Sequence, residues 1–181
     1  MKEYVVLVNE RDEPVGVDEK LQAHIDGVLH RAFSVFVFNS RGDLLLQQRH
    51  PGKYHSGGLW SNTCCSHPRP GEAVEHAARR RLREEMGFSC DLERLFGFVY
   101  KAQLDDDLYE HEYDHVFVGS YDGTPEPNGA EVSGWRWVRP EQVQAAVAED
   151  PSRYTYWFRL ALDRVLHAAG EGAYGTAVIR S

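Results

Sequence analysis

The segment from Trp60 to Pro68 places a thiol and an imidazole close together in strand-like sequence. Cys65 and His67 are two positions apart, and side chains at that spacing on a strand project from one face. Cys64 then projects from the opposite face, where a free thiol packs as a small apolar side chain. A thiol and a metal-type ligand on one face predict chemistry there rather than packing alone.

A charged helix is predicted directly after this segment. Residues 72–86 are rich in Ala, Arg, Leu and Glu, and Gly87 occupies the position of a left-handed C-terminal cap. Arg81 and Glu85 are four residues apart and share a helix face. In an isolated segment, such pairs are typical of a solvated, salt-bridged surface.

Five residues in this stretch have the spacing of the Nudix box, a loop–helix motif that holds a divalent metal against a diphosphate: Glu72, Arg80, Glu84, Glu85 and Gly87. The match is incomplete, because Arg81 stands where the box has Glu. This change removes one negative ligand and adds a group that pairs with phosphate. It argues against ordinary Nudix hydrolysis, in which several carboxylates activate water.

Strands are predicted on both sides of that helix. Apolar segments bounded by turn residues indicate strands at 4–8, 32–38, 44–48, 61–66, 95–103, 112–121 and 133–138. The turn at 39–42 predicts a β-hairpin, and further helices are predicted at 140–148 and 157–168. We therefore expect an α+β fold: one Nudix-like α/β/α layered domain over residues 1–181, with a mixed central sheet and C-terminal helices.

Composition narrows the functional classes. A net charge of −8 (20 basic and 28 acidic residues) is unfavourable for a broad nucleic-acid surface. Three cysteines, two of them adjacent, are a poor disulfide framework and indicate reduced thiols. No stretch approaches the roughly 20 apolar residues that span a bilayer. We expect a cytoplasmic protein, a monomer or homodimer, with no nucleic-acid or membrane partner.

Three motifs together resemble the type 1 isopentenyl-diphosphate Δ-isomerases. They are His24 with the run His30-Arg31-Ala32-Phe33-Ser34, the segment Trp60–Pro68, and Glu110-His111-Glu112. The resemblance extends from about Val5 to Trp157. It implies that isopentenyl diphosphate is converted to dimethylallyl diphosphate by a 1,3-allylic proton shift in isoprenoid biosynthesis, with these small molecules as partners.

The resemblance also implies a metal site. A lone histidine is more often an ordinary loop or buried residue than a ligand, but in this family three histidines and a Glu-x-Glu strand bind one divalent cation. The matching residues are His24, His30, His67, Glu110 and Glu112. Such a nitrogen and oxygen set suits Mn²⁺ or Mg²⁺, and Zn²⁺ can also bind. His55, His111 and His115 do not match and are expected at the surface or in packing.

The family pattern assigns further roles. Cys65 and Glu112 are implied as the two acid/base groups, with Tyr100 as an active-site tyrosine and Trp157 as an indole over the carbon skeleton. Glu85 and the Cys65 carbonyl are implied to bind a Mg²⁺ that bridges to the substrate. Four cations match positions around the diphosphate, although each alone is typical of a solvated surface: Lys20, Arg49, Lys53 and Arg81.

The implied chemistry has clear physical requirements. Protonating an unactivated alkene requires a well-placed acid in a dry pocket and yields a tertiary carbocation, which water would trap and a π face stabilises. A second group on the opposite wall must then remove a proton, and the sequence leaves open whether Cys65 or Glu112 does so. Two alternatives remain: a Nudix hydrolase of a nucleoside diphosphate derivative, and a non-catalytic metal-stabilised binding domain.

Overall fold

A computed structural model describes residues 2–104 and 107–171 of the chain. The predicted 1–181 domain therefore includes residues outside the described ranges. The elements, in chain order, are β1 (Tyr4–Val8), β2 (Pro14–Glu19), α1 (Lys20–Asp26), β3 (His30–Phe38), β4 (Leu44–Arg49), β5 (Trp60–Ser61), β6 (Cys64–Ser66), α2 (Val74–Met86), β7 (Leu92–Gln103), β8 (Tyr109–Ser120), β9 (Val132–Val138), α3 (Pro140–Glu149) and α4 (Tyr156–Glu171).

Strand β3 is the centre of a mixed sheet. It pairs in parallel with β8 along its whole length, from His30 opposite Glu112 to Phe38 opposite Ser120. It pairs antiparallel with β6 and, at its first residue, with β1. Outside these contacts β7 pairs with β8, β9 and β5 pair with β4, and β2 pairs with β1. The predicted mixed sheet is confirmed.

Alternate side chains of β3 fill two separate cores. Phe33 and Val37 pack beneath α2 on one face of the sheet, whereas Phe36 and Phe38 pack against α4 on the other. Because both faces are covered, β3 is buried along nearly its whole length. The α/β/α layering expected from the order of the elements is present.

The predicted hairpin between β3 and β4 is present only at its turn. Asn39 N–H donates a 3.0 Å hydrogen bond to the Asp43 carbonyl, and Phe38 faces Leu44. Beyond that pair the strands separate, because β3 is paired with β8 and β6 while β4 is paired with β9 and β5. A local turn signal cannot reveal this competition among distant strands.

Two elements before β3 were not predicted. In β2, Val15 and Val17 are 64% and 54% exposed, so this short strand has two apolar side chains on one face but buries neither of them. Helix α1 buries only Ala23 and His24. Two buried residues are too few to give the sequence the repeating apolar pattern that predicts a helix. It ends at Gly27, whose φ of 63° lies in the left-handed region that glycine favours.

The predicted strand at 61–66 is two short strands separated by Asn62 and Thr63. Both side chains bond to neighbouring backbone: Asn62 Nδ2 donates to the carbonyls of Val35 (3.1 Å) and Cys64 (2.8 Å). Thr63 Oγ1 donates to the Leu45 carbonyl at 2.7 Å. These bonds fix the segment that carries Cys65.

The three predicted helices are present with small changes at their ends. Helix α2 begins two residues later than predicted and ends at Gly87, whose φ of 76° is that of the expected left-handed cap. Over residues 2–104 and 107–171, none of the helices combines the length and apolar character needed to cross a bilayer.

Candidate active site

A cavity opens at one end of the sheet. Most of the predicted site residues line it: Lys20, Arg49, Lys53, Cys65, His67, Arg81, Glu85, Glu110, Glu112 and Trp157. The others, His24, His30 and Tyr100, lie behind Glu110 and Glu112 and contact them. The structure therefore brings the predicted residues together.

Strand register produces this convergence around Glu112. The parallel pairing of β3 with β8 sets His30 beside Glu112, and the antiparallel pairing of β7 with β8 sets Tyr100 on its other side. Glu110 is two residues before Glu112 on β8 and so shares its face. Both glutamates are in one strand, which begins three residues earlier than predicted.

His24 and His30 each present a free nitrogen lone pair to this group. Their Nδ1 atoms lie 2.6 Å from the Lys20 carbonyl and 2.8 Å from the Val28 carbonyl. A carbonyl only accepts, so Nδ1 carries the proton and Nε2 keeps its lone pair. Both Nε2 atoms are buried and, among the described residues, have no hydrogen-bond partner. This is the arrangement of metal-ligating histidines, each held by a backbone acceptor.

The donor atoms lie at distances that suit a shared cation. His24 Nε2 is 3.6 Å from Glu110 Oε2, and His30 Nε2 is 3.5 Å from Glu112 Oε1. His67 Nε2 is 2.8 Å from the same Glu112 oxygen. Two ligands each about 2.1 Å from one ion are separated by roughly 3.0–3.4 Å at right or tetrahedral angles. His24, His30, His67 and Glu112 therefore form one group that could hold a divalent cation, and Glu110 joins His24 in a second group.

Burial determines the protonation of this group. It lowers the pKa of His24, and that of His67 to about 3, so both rings are neutral. Burial raises the pKa of Glu112, but the imidazoles of His30 and His67 beside its oxygens outweigh burial and hold that pKa well below its usual range. Burial and the charge of Glu112 raise the pKa of Glu110. A bound cation would favour the ionised form of both carboxylates.

Cys65 lies on a wall formed with Arg49 and Trp157. Its Sγ is 3.8 Å from Arg49 Nη1, and burial raises the pKa of the thiol to about 12, so it is protonated at neutral pH. The Arg49 guanidinium lies 5.4 Å from the Trp157 ring, whose N–H donates to Asn62 Oδ1 at 3.2 Å. Cys64 points away and is fully buried beneath α2, as predicted.

The remaining cations in the cavity are already paired with carboxylates. Lys53 Nζ is 2.8 Å from Glu131, and Arg81 contacts Glu131 as well as Glu85, the latter at 2.6 Å. Burial raises the pKa of Glu131, but hydrogen bonds from Arg81 and Lys53 hold it at about 2. Lys20 pairs with Glu3 at 2.9 Å. A diphosphate would therefore compete with these carboxylates for the three cations.

Comparison with known proteins identifies the family. The NUDIX domain family matches residues 28–158. A protein of Burkholderia multivorans named isopentenyl-diphosphate Delta-isomerase is 53% identical over 171 residues, covering 92% of this chain and 97% of that protein. The chain belongs to the isopentenyl-diphosphate Delta-isomerase family of NUDIX-domain proteins. The resemblance inferred from the motifs is confirmed.

Other members and solved structures agree with this assignment. Isopentenyl-diphosphate Delta-isomerase 2 of Aromatoleum aromaticum is 50% identical over 177 residues, covering 98% of this chain and 94% of that protein. DR0079 of Deinococcus radiodurans has a TM-score of 0.72 at 26% identity, covering 90% of this chain and 98% of its own. A MutT protein of Methanosarcina mazei, at 16% identity, has a TM-score of 0.64 over 77% of this chain and 94% of its own, which shows the NUDIX fold.

The Nudix-box residues of this isomerase-family chain have distinct environments. Glu85 is 4% exposed and accepts hydrogen bonds from Gln47 Nε2 at 2.9 Å and from Arg81. Glu72 instead binds Arg80 through two bonds of 2.7 and 2.8 Å and so ties the loop to α2. Glu85 is therefore the box carboxylate that faces the cavity.

Sequence reasoning missed the position of two further residues. His55, expected at the surface or in packing, lines the cavity and lies 3.3 Å from Glu110. Glu131, which holds Arg81 and Lys53, had no motif to mark it. Both lie between strands, where no periodicity applies. One feature of the sequence could have indicated His55: it lies near Lys53 in the Gly-rich segment 50–58, and loops often carry binding residues.

Proposed function

We propose that the protein is an isopentenyl-diphosphate Delta-isomerase that moves the carbon–carbon double bond by adding one proton and removing another. The observation that carries this proposal is the cavity itself. A protonated, buried thiol and a carboxylate held by a tyrosine line one chamber, and cations surround it. The curated relatives support the same reaction by their names.

Cys65 and Glu112 act as the acid/base pair. One donates a proton to the terminal carbon of the alkene, which leaves the positive charge on the adjacent tertiary carbon. The other removes a proton from the carbon next to it on the chain side, and the double bond re-forms there. One proton enters and one leaves, so the step needs neither an oxidant nor water.

Trp157 protects and stabilises the cationic intermediate. Its ring is 4% exposed and lines the cavity, and the bond to Asn62 sets its orientation. The electron-rich face of an indole attracts positive charge, and more strongly where water is excluded. Arg49 lies beside this ring and Cys65.

The diphosphate is bound by Lys20, Arg49, Lys53 and Arg81. Glu85 and the Cys65 carbonyl would hold a Mg²⁺, which would neutralise part of the diphosphate charge. Binding the non-reacting diphosphate orients the alkene between the acid/base groups, so remote binding energy lowers the barrier.

A second cation, Mn²⁺ or in its place Zn²⁺ or Mg²⁺, would be held by the donor group His24, His30, His67 and Glu112. Glu110, which contacts His24, would complete the site. When bound, the cation fixes the Glu112 carboxylate and lowers its proton affinity. Tyr100 holds the other Glu112 oxygen and can pass a proton to or from it. We also place the enzyme in the cytoplasm, because Cys64, Cys65 and Cys90 are free thiols.

The direct test supplies purified protein with Mg²⁺ and isopentenyl diphosphate. We expect dimethylallyl diphosphate as the product, and at least about 10³-fold slower turnover for Cys65→Ala and for Glu112→Gln with unchanged circular dichroism. Near-normal turnover by Cys65→Ala would refute its role. Release of phosphate from nucleoside diphosphate derivatives, without isomerisation, would favour the Nudix hydrolase alternative.

A further inference from the structure

His55 adds a fourth imidazole to the group of histidines behind the cavity. Two sets of metal-type donors overlap at His24: one joins it to His30, His67 and Glu112, and the other joins it to His55 and Glu110. Within each set the donor atoms lie within 4.8 Å of one another. His55 therefore shares this spacing with His24 and Glu110, where the two sets meet.

The contacts of His55 are those of a ligand. Its Nε2 is 3.3 Å from Glu110 Oε1, longer than the roughly 2.9 Å of an ordinary N–H···O bond but within the spacing of two ligands on one ion. The other Glu110 oxygen faces His24 at 3.6 Å. The His55 ring stacks on that of His24, with centroids 5.4 Å apart, so both present an edge to Glu110.

The loop between β4 and β5, which carries His55, folds back closely on itself. A side chain at Gly57 would run into the Pro51 carbonyl, so the backbone is tightly folded there. Arg49 donates to the His55 carbonyl at 3.4 Å. The His55 side chain itself is only 6% exposed. Its imidazole is therefore positioned before any cation binds.

We propose that His55 is a fourth imidazole ligand of the divalent cation, next to His24 and Glu110, and that it raises the preference of the site for Zn²⁺ over Mg²⁺. This inference rests on the metal centre of the proposed function. Imidazole nitrogen favours Zn²⁺ and related cations, whereas Mg²⁺ favours oxygen. A further nitrogen ligand therefore strengthens Zn²⁺ binding much more than Mg²⁺ binding.

The test measures metal binding by the full-length protein after chelation and dialysis. Zn²⁺ affinity is measured by competition with a coloured chelator and Mg²⁺ affinity by calorimetry, for wild type, His55→Ala and the conservative His55→Gln. We expect Zn²⁺ affinity to fall about tenfold or more in both variants and Mg²⁺ affinity to change less than about twofold. His76→Ala, on the exposed face of α2, is the matched control and should equal wild type.

X-ray absorption of the zinc-loaded proteins distinguishes a ligand from a residue that only positions Glu110. The imidazole count should fall by one in His55→Ala and remain unchanged in His76→Ala. An unchanged count in His55→Ala would overturn the proposal even if affinity fell. If the wild type bound no cation at all, the metal centre itself would fail. If His55→Ala and His55→Gln both kept the Zn²⁺ affinity and the imidazole count of the wild type, only the role of His55 would be refuted.

Discussion

Tyr100 and Glu112 face each other across β7 and β8, and the Tyr100 hydroxyl donates a 2.7 Å hydrogen bond to Glu112 Oε2. The other Glu112 oxygen lies 2.8 Å from His67 Nε2. The carboxylate is thus held at both oxygens, by a phenol on one side and the histidine group on the other. This arrangement fixes where the Glu112 proton can be gained or lost.

Removing the phenol should slow the reaction without unfolding the protein. In Tyr100→Phe, a buried Glu112 oxygen loses its partner, which costs about 1–3 kcal/mol. We expect kcat to fall roughly 10- to 100-fold with KM little changed, measured by steady-state kinetics with isopentenyl diphosphate. Tyr121→Phe, in a ring stack with Phe88 under α2, should retain wild-type kinetics. If Tyr100→Phe had the same kcat as wild type, the hydrogen bond from Tyr100 to Glu112 would have no part in the reaction.

The two adjacent cysteines should separate function from stability. Cys65→Ala should abolish turnover with the melting temperature nearly unchanged, because the thiol borders the cavity. Cys64→Ala should leave turnover of the folded enzyme intact but lower the free energy of unfolding by about 1 kcal/mol, because it leaves a small void beneath α2. Kinetics and denaturant unfolding of both variants provide the measurement. The reverse pattern would show that the two faces are assigned wrongly.

Glu131 should make the free energy of unfolding depend on pH in the acid range. Its pKa lies at about 2 in the folded protein, below the ordinary 4.5, so its stabilising effect is complete above pH 4.5 and is lost as pH falls toward about 2. Glu131→Gln should therefore lower the free energy of unfolding by about 1–3 kcal/mol at pH 7, after allowing for solvent screening.

Denaturant unfolding of wild type and Glu131→Gln between pH 7 and pH 2.5 measures this effect. The gap between the two should narrow steadily below pH 4.5. Glu10→Gln, in an exposed turn, should show no such gap. A gap of constant size across this range would mean that the ion pairs with Arg81 and Lys53 contribute nothing.

How much the sequence predicts depends on whether a signal is local. Period-two spacing correctly places Glu110 with Glu112, and Cys65 with His67, because strand alternation depends on the strand alone. The parallel pairing that sets His30 beside Glu112 joins residues about 80 positions apart, and no local pattern encodes it. The family motifs supplied that contact.

Loops and short elements explain what the sequence did not reveal. The seven-residue helix that carries His24 was not predicted because it has no apolar stripe. His55 and Glu131 lie in connections whose path depends on tertiary contacts. Gly57 shows the reason: its close approach to Pro51 sets the position of His55, but a glycine in a sequence does not say which backbone it approaches.

The most direct measurement is the reaction of wild-type protein with isopentenyl diphosphate in D₂O, followed by nuclear magnetic resonance. If Cys65 and Glu112 exchange protons with the substrate, dimethylallyl diphosphate should carry solvent deuterium in the methyl group formed from the terminal carbon. Neither Cys65→Ala nor Glu112→Gln should form labelled product at a comparable rate. Product formed without deuterium would contradict the account, because the hydrogen would then have moved within the substrate.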